Sequence, residues 1–274
     1  MIKKIKKFIS NIKPSKVEPI IVKTSENKML KDKVAFITGG SGGIGSAIAK
    51  KFIESGCKVI ISGTNEIKLS KICDELGNNC KYIKIDLSDI DNIKKSIKEA
   101  IKLFGRIDIF VSSHGIHTTR KINSFIDFNE KDYDDIMNIN LKSTYFLCKE
   151  IAYYFINNKI KGHILLISSS TSEEPAWSPY RLSKNSINSL VKGLAQSLIN
   201  DDIVVNGIAP GPTATSLLNY SEGKSIYTED NYIYRYTMPE EIAEYAVLLA
   251  SNLGNTIVGD IIFMSGGRGT IDIR

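Results

Sequence analysis

The chain has 274 residues, 42% of them hydrophobic and 24% charged, a balance that suits one large soluble domain or two small ones and needs no disulfide or metal to hold a core. The formal charge is +6, but nine lysines precede residue 33 against three acids, so the remainder is near neutral, which argues against a folded nucleic-acid surface. No apolar run reaches the roughly 18 residues of a membrane span, and the four cysteines form no C-x-x-C pair and read as reduced thiols of a cytoplasmic protein.

Residues 1–30 are expected to form a basic arm outside the folded unit, and residues 31–274 the domain. No apolar segment follows the first lysines, so the arm is a poor secretory signal. Ile2, Ile5, Ile9 and Ile12 share a helical face ringed by lysines, a weak match to a helix lying on a membrane surface; a solvated, mobile arm fits as well. The first strand is expected at Val34–Thr38, and Gly39-Gly40-Ser41-Gly42-Gly43-Ile44-Gly45 then opens a helix striped by Ile44, Ala47 and Ile48. A strand that feeds a helix through glycines lets the backbone approach a pyrophosphate, with the free N–H groups of the helix start facing it.

Lys58–Ser62 is the second expected strand; Gly63, Thr64 and Asn65 follow it. An acid at the end of this strand would bind a ribose 2′-hydroxyl, and none stands there. The third strand, Lys81–Ile85, is followed by Asp86-Leu87, and the fourth, Ile107–Val111, by Ser112-Ser113-His114-Gly115. His114 and His117 have a ligand-like spacing but no acidic or cysteine partner close by, so no metal site is expected. The fifth strand, His163–Ser168, runs into Ser169 and Ser170. Tyr180 and Lys184 are four apart in a helical stretch and share a face, so the ammonium is expected to lower the phenol's pKa and ready it for proton transfer. Strands at Ile203–Ile208 and Ile261–Phe263 complete the series. Alternating strands and helices mean an α/β fold, a doubly wound parallel sheet of about seven strands with helices on both faces.

These motifs, in this order from Lys31 to Gly267, resemble the short-chain dehydrogenase/reductase family and a single Rossmann-type domain. The resemblance implies a catalytic set of Asn140, Ser169, Tyr180 and Lys184. Asn140 would anchor a water that carries protons from Lys184, which also holds the cofactor ribose. Ser169 stands 11 residues before Tyr180, a shorter loop than the family's usual one, which leaves Ser168 and Ser170 open for its role. The implied cofactor contacts are Gly39, Ser41, Gly42, Gly43, Ile44 and Gly45; Gly63, Thr64 and Asn65; Asp86 and Leu87; Ser113 and Gly115; Tyr180 and Lys184; and Pro210, Gly211, Thr213 and Thr215. The missing acid favours NADP(H) over NAD(H), although Gly42 and Thr64 stand where NADP-dependent relatives often carry arginine. Residues 216–236, with five tyrosines, lie where the family has its substrate lid. The family also implies a homodimer or homotetramer acting on a small-molecule ketone or alcohol. Three activities compete: a 3-oxoacyl-carrier-protein reductase type, a dehydrogenase of a sugar or envelope precursor, and a dinucleotide-binding sensor without turnover.

Overall fold

The computed structural model describes residues 28–215, 218 and 225–271. Its strands are β1 (Val34–Thr38), β2 (Lys58–Gly63), β3 (Cys80–Lys84), β4 (Ile109–Ser112), β5 (His163–Ile167), β6 (Val204–Pro210) and β7 (Ile261–Met264). They pair in parallel in the order β3-β2-β1-β4-β5-β6-β7. The helices are α1 (Gly43–Glu54), α2 (Glu66–Leu76), α3 (Ile93–Phe104), α4 (Glu130–Met137), α5 (Ser143–Asn157), α6 (Pro179–Leu198) and α7 (Pro239–Ala250). No helix among the described residues is long and apolar enough to cross a membrane.

β1 shows why the strands carry continuous apolar runs. Val34 and Phe36 enter one core layer, Ala35 and Ile37 the other, because successive side chains leave opposite faces of a strand. Helices α1, α2 and α7 pack on one side through Phe52, Leu69 and Val247. On the other, α3, α5 and α6 pack through Ile97, Phe155 and Val191. This is a Rossmann-type layered domain. Leu30 is wholly buried and its N–H bonds the Ser55 carbonyl at 3.0 Å, so the fold takes in the last of the residues expected in the arm. The isoleucine-lined face of the arm, and residues 216, 217 and 219–224 of the expected lid, Tyr220 among them, lie outside the described residues. β4 starts two residues later than expected, at Ile109, because the carboxylate of Asp108 accepts the Val34 N–H at 3.0 Å ahead of the ladder.

Two features position the site. Thr38 stands level with Ser62 on β2 and Ser112 on β4, so a crevice opens at the carboxyl ends of β1 and β4, where the sheet order reverses. Between α4 and α5 the helix widens into a π-helical turn over Asn138–Lys142, a form often found at functional sites. Asn140 sits in this turn and is 1% exposed.

Candidate active site

The chain leaves β1 through Gly39 in a left-handed conformation, φ +69°. A β-carbon there would stand 2.7 Å from the His114 backbone, and one on Gly45 2.3 Å from the Gly39 carbonyl oxygen. Both contacts are with backbone, so both positions need glycine. A β-carbon on Gly43 would meet the Thr215 methyl group at 2.6 Å. Helix α1 then begins after Gly42 with no side-chain cap and no acid in its first turn, which leaves its N–H groups and positive dipole end unneutralised. Beside it is a cavity of about 250 Å³. Its walls come from Gly39, Ser41 and Gly42, from Gly63 and Thr64 after β2, from Asp86 and Leu87 after β3, and from Ser113 and Gly115 after β4. Asn65 departs from this set: its side chain caps α2, accepting the Lys68 N–H at 3.0 Å. Asp86 accepts the Ser88 hydroxyl at 2.7 Å and the Ser88 N–H at 2.9 Å, bonds that hold its pKa down. The Ser113 hydroxyl is buried with no protein partner. An orphaned hydroxyl, glycines that admit close backbone approach and an uncapped helix start fit a bound dinucleotide.

Tyr180 is the second residue of α6, whose start is fixed by Pro179 and by the Ser178 hydroxyl accepting the Arg181 N–H at 3.3 Å. Lys184 follows one turn later, 4% exposed. Its ammonium donates to the Ile167 carbonyl at the end of β5 at 2.9 Å and lies 5.8 Å from the centre of the Tyr180 ring. Burial pushes that ammonium down to about 8. It also pushes the Tyr180 phenol up, and a hydrogen bond with Ser169 draws it partly back. The lowering expected from Lys184 is therefore corrected: desolvation of the phenolate is the larger influence, and the opposing one comes from Ser169. Among the three serines, Ser169 is the one that bonds Tyr180. Ser168 instead donates to the Lys184 carbonyl at 3.1 Å, and Ser170 is buried at the start of a short 3₁₀ turn. A second cavity, again about 250 Å³, brings Ile44, Ser169 and Tyr180 together with Pro210, Gly211, Thr213 and Thr215.

Asn140 clamps the main chain of Ile116 from both sides, its Oδ1 accepting the N–H at 2.8 Å and its Nδ2 donating to the carbonyl at 3.0 Å. The same Nδ2 donates to the Ser183 hydroxyl at 3.2 Å. A β-carbon on Gly115 would lie 3.5 Å from the Lys184 nitrogen and 3.6 Å from the Asn140 oxygen, so the two side chains flank this glycine. Asn140 thus acts first on the position of Gly115-Ile116.

A family model described as short chain dehydrogenase matches residues 33–225. The chain belongs to the short-chain dehydrogenase family. It is an oxidoreductase of that family, whose members act on hydroxyl and ketone groups with a nicotinamide-type nucleotide. It is similar to a 3alpha-hydroxysteroid dehydrogenase of Mediterraneibacter gnavus, 32% identical, with 87% of this chain and 97% of that protein covered. A 2-dehydro-3-deoxy-D-gluconate 5-dehydrogenase of Dickeya dadantii is 31% identical over 87% of this chain and 96% of that protein. Among solved structures, a 3-ketoacyl-(acyl-carrier-protein) reductase from Brucella melitensis, crystallised with NADH, superposes with a TM-score of 0.81 at 26% identity, covering 88% of this chain and 99% of that one.

Two histidines give this short-chain dehydrogenase features that its motifs did not foretell. In the sequence His114 stands out only by its spacing from His117. Its Nδ1 lies 2.7 Å from the Thr38 hydroxyl, and its Nε2 lies 2.9 Å from the Ser143 hydroxyl and 3.1 Å from the Ile139 carbonyl. It therefore ties β1 and β4 to the π-helical turn, and burial holds its pKa down to about 3. His117 stacks on Tyr180, ring centres 3.5 Å apart and planes 24° apart. Its desolvated setting and, second, the Lys184 charge bring its pKa to about 4, so the ring is neutral at pH 7. Neither contact leaves a trace in residue spacing.

Proposed function

We propose that the protein interconverts a ketone and a secondary alcohol with NADP(H), in the manner of the 3-oxoacyl-carrier-protein reductases. The observation that carries this reading is Tyr180 lining the second cavity together with Ser169, with the buried Lys184 behind it. A nicotinamide nucleotide held by the glycine loop and Lys184 would supply or accept the hydride. Tyr180 gives its phenolic proton to the carbonyl oxygen, and Ser169 donates a second hydrogen bond to that oxygen. Lys184 would hold the cofactor ribose and return a proton to the phenol, and Asn140 keeps Gly115-Ile116 in place beside Lys184. At neutral pH the Tyr180 phenol is protonated and can serve as the acid for reduction, whereas oxidation requires the phenolate and gains as pH rises. The four cysteines are free thiols, in keeping with a cytoplasmic setting. Exposed Tyr145, Tyr153 and Ile156 on α5 support self-association into a dimer or tetramer.

NADP(H) is favoured because Gly63 and Thr64, and no carboxylate, line the cavity at the end of β2. The test is kcat/KM with NADPH and NADH against a panel of 3-oxoacyl thioesters, keto sugars and simple ketones. Turnover of a 3-oxoacyl thioester with a preference for NADPH is expected; preference for NADH, or for a keto sugar, overturns that part of the reading. Gly63→Asp is expected to move preference toward NADH, since a carboxylate repels a 2′-phosphate. The new β-carbon would lie 3.0 Å from the Ser41 hydroxyl, a side chain that can rotate away.

A further inference from the structure

Beyond Tyr180 lies another chamber, about 240 Å³, walled by Ile122, Phe128, Ile136 and Trp177. His117 and Tyr180 line both this chamber and the cavity on the nucleotide side, so the two meet at the reactive phenol. The polar side chains on the chamber wall are already engaged. Thr118 donates to Asp132 at 3.0 Å, Thr171 donates to Ser169 at 3.0 Å, and Ser178 caps α6. Arg181 pairs with Glu174 at 2.8 Å and donates to the Pro175 carbonyl at 3.0 Å. A hydroxylated arm entering here would lose its water and, apart from the neutral His117, meet groups that are already bonded.

Trp177 is not a core residue; it is 40% exposed. The Arg181 guanidinium lies 5.3 Å from its ring centre, and Phe128 sits at 6.1 Å. Glu174, which fixes Arg181, also accepts Arg268 at 2.7 Å. Three charged side chains in series thus hold the indole as one wall of the chamber.

We infer that this chamber takes a ring-sized apolar arm of the ketone substrate, with Trp177 as a specificity-determining wall. The inference rests on the reading of Tyr180 as the proton donor. An apolar cavity of about 150 Å³ already holds benzene, so this one accommodates a substituted ring or an acyl chain of similar bulk.

The test uses the full chain, and Trp177 is its only tryptophan, so indole emission reports on the chamber without catalysis. Saturable change of that emission by 1-phenylethanol, but not by butan-2-ol or a hexitol, is expected, together with its loss in Ile122→Asp. In turnover, kcat/KM for acetophenone should exceed that for butanone by about ten- to a hundredfold, the worth of one buried ring. Trp177→Ala should shrink this ratio about tenfold, with cofactor titration showing that the variant is folded. Ketone turnover with a ratio near one, or a ratio indifferent to both variants, overturns the chamber assignment and leaves the proton chemistry intact. Absence of turnover with a saturable indole response overturns the redox reading and keeps the apolar site. Absence of both overturns the two together.

Discussion

The two halves of the cleft are made of different material. The nucleotide half is mostly main chain: Gly39 and Gly45 pack against backbone so closely that a single added carbon has nowhere to go. The reactive half is mostly side chains, gathered from the end of β4, the π-helical turn, the exit of β5 and the start of α6. The first half is damaged by adding atoms, the second by removing them. A surface that positions an anion through backbone N–H groups depends on approach distance, whereas one that moves a proton depends on particular functional groups.

The sharpest way to break this contrast is Tyr180→Phe, which removes one oxygen and keeps the ring. Turnover is expected to fall by about 10²–10⁴-fold, with dinucleotide affinity unchanged in a direct titration. Near-native rates would place the acid elsewhere and remove the distinction between the halves. The reciprocal experiment is Gly45→Ala, one added carbon placed 2.3 Å from the Gly39 carbonyl. Overpacking against backbone costs about 1–3 kcal/mol, so dinucleotide affinity should drop by about ten- to a hundredfold, read by equilibrium titration; a wild-type constant would show that the loop yields.

His114→Ala probes the seam between the halves. The substitution leaves the Thr38 and Ser143 hydroxyls without the imidazole they share. Unfolding by urea should show a loss of about 1–3 kcal/mol, and an unchanged midpoint would mean that the ring ties nothing together. The smallest effect concerns Lys184. Its ammonium is held to about 8, and an anionic dinucleotide binds its charged form better, so affinity should be highest below that pH and decline as the proton leaves. The expected decline between pH 7 and 9.5 is on the order of fivefold, about 1 kcal/mol of attraction. Lys184→Met should bind more weakly throughout and show no such decline; a parallel pH profile would assign the titration to another group.

Much of this was legible in the chain. β1 lies where its β-branched run placed it, and the other strands fall within two residues of expectation. The layered fold followed from those runs alternating with stripes such as Ile44, Ala47 and Ile48, because burial on both faces imposes one pattern on strands and burial on one face another on helices. The glycine loop was legible for a similar reason: its constraint is local. The rest was not, because it depends on contacts between distant residues. Nothing about Asn138–Lys142 announces a π-helical turn, and the partners of His114 lie on β1 and after α4. The rise of the Tyr180 pKa was missed because spacing reports the neighbouring charge while desolvation depends on the whole enclosure. The chamber behind Tyr180 draws Ile122 and Trp177 from opposite sides of α5, a juxtaposition that only the folded chain displays.

The bond between Arg268 and Glu174 spans 94 residues. During synthesis from the N-terminus Glu174 leaves the ribosome 94 residues before the arginine that it binds. Helix α1 of the nucleotide cradle packs against α7, and the clamp that steadies Trp177 needs Arg268, so both halves of the cleft wait for the last part of the chain. The wall of the chamber is thus among the last parts of the fold to be set, when the turn after β7 brings Arg268 back onto the loop that follows β5.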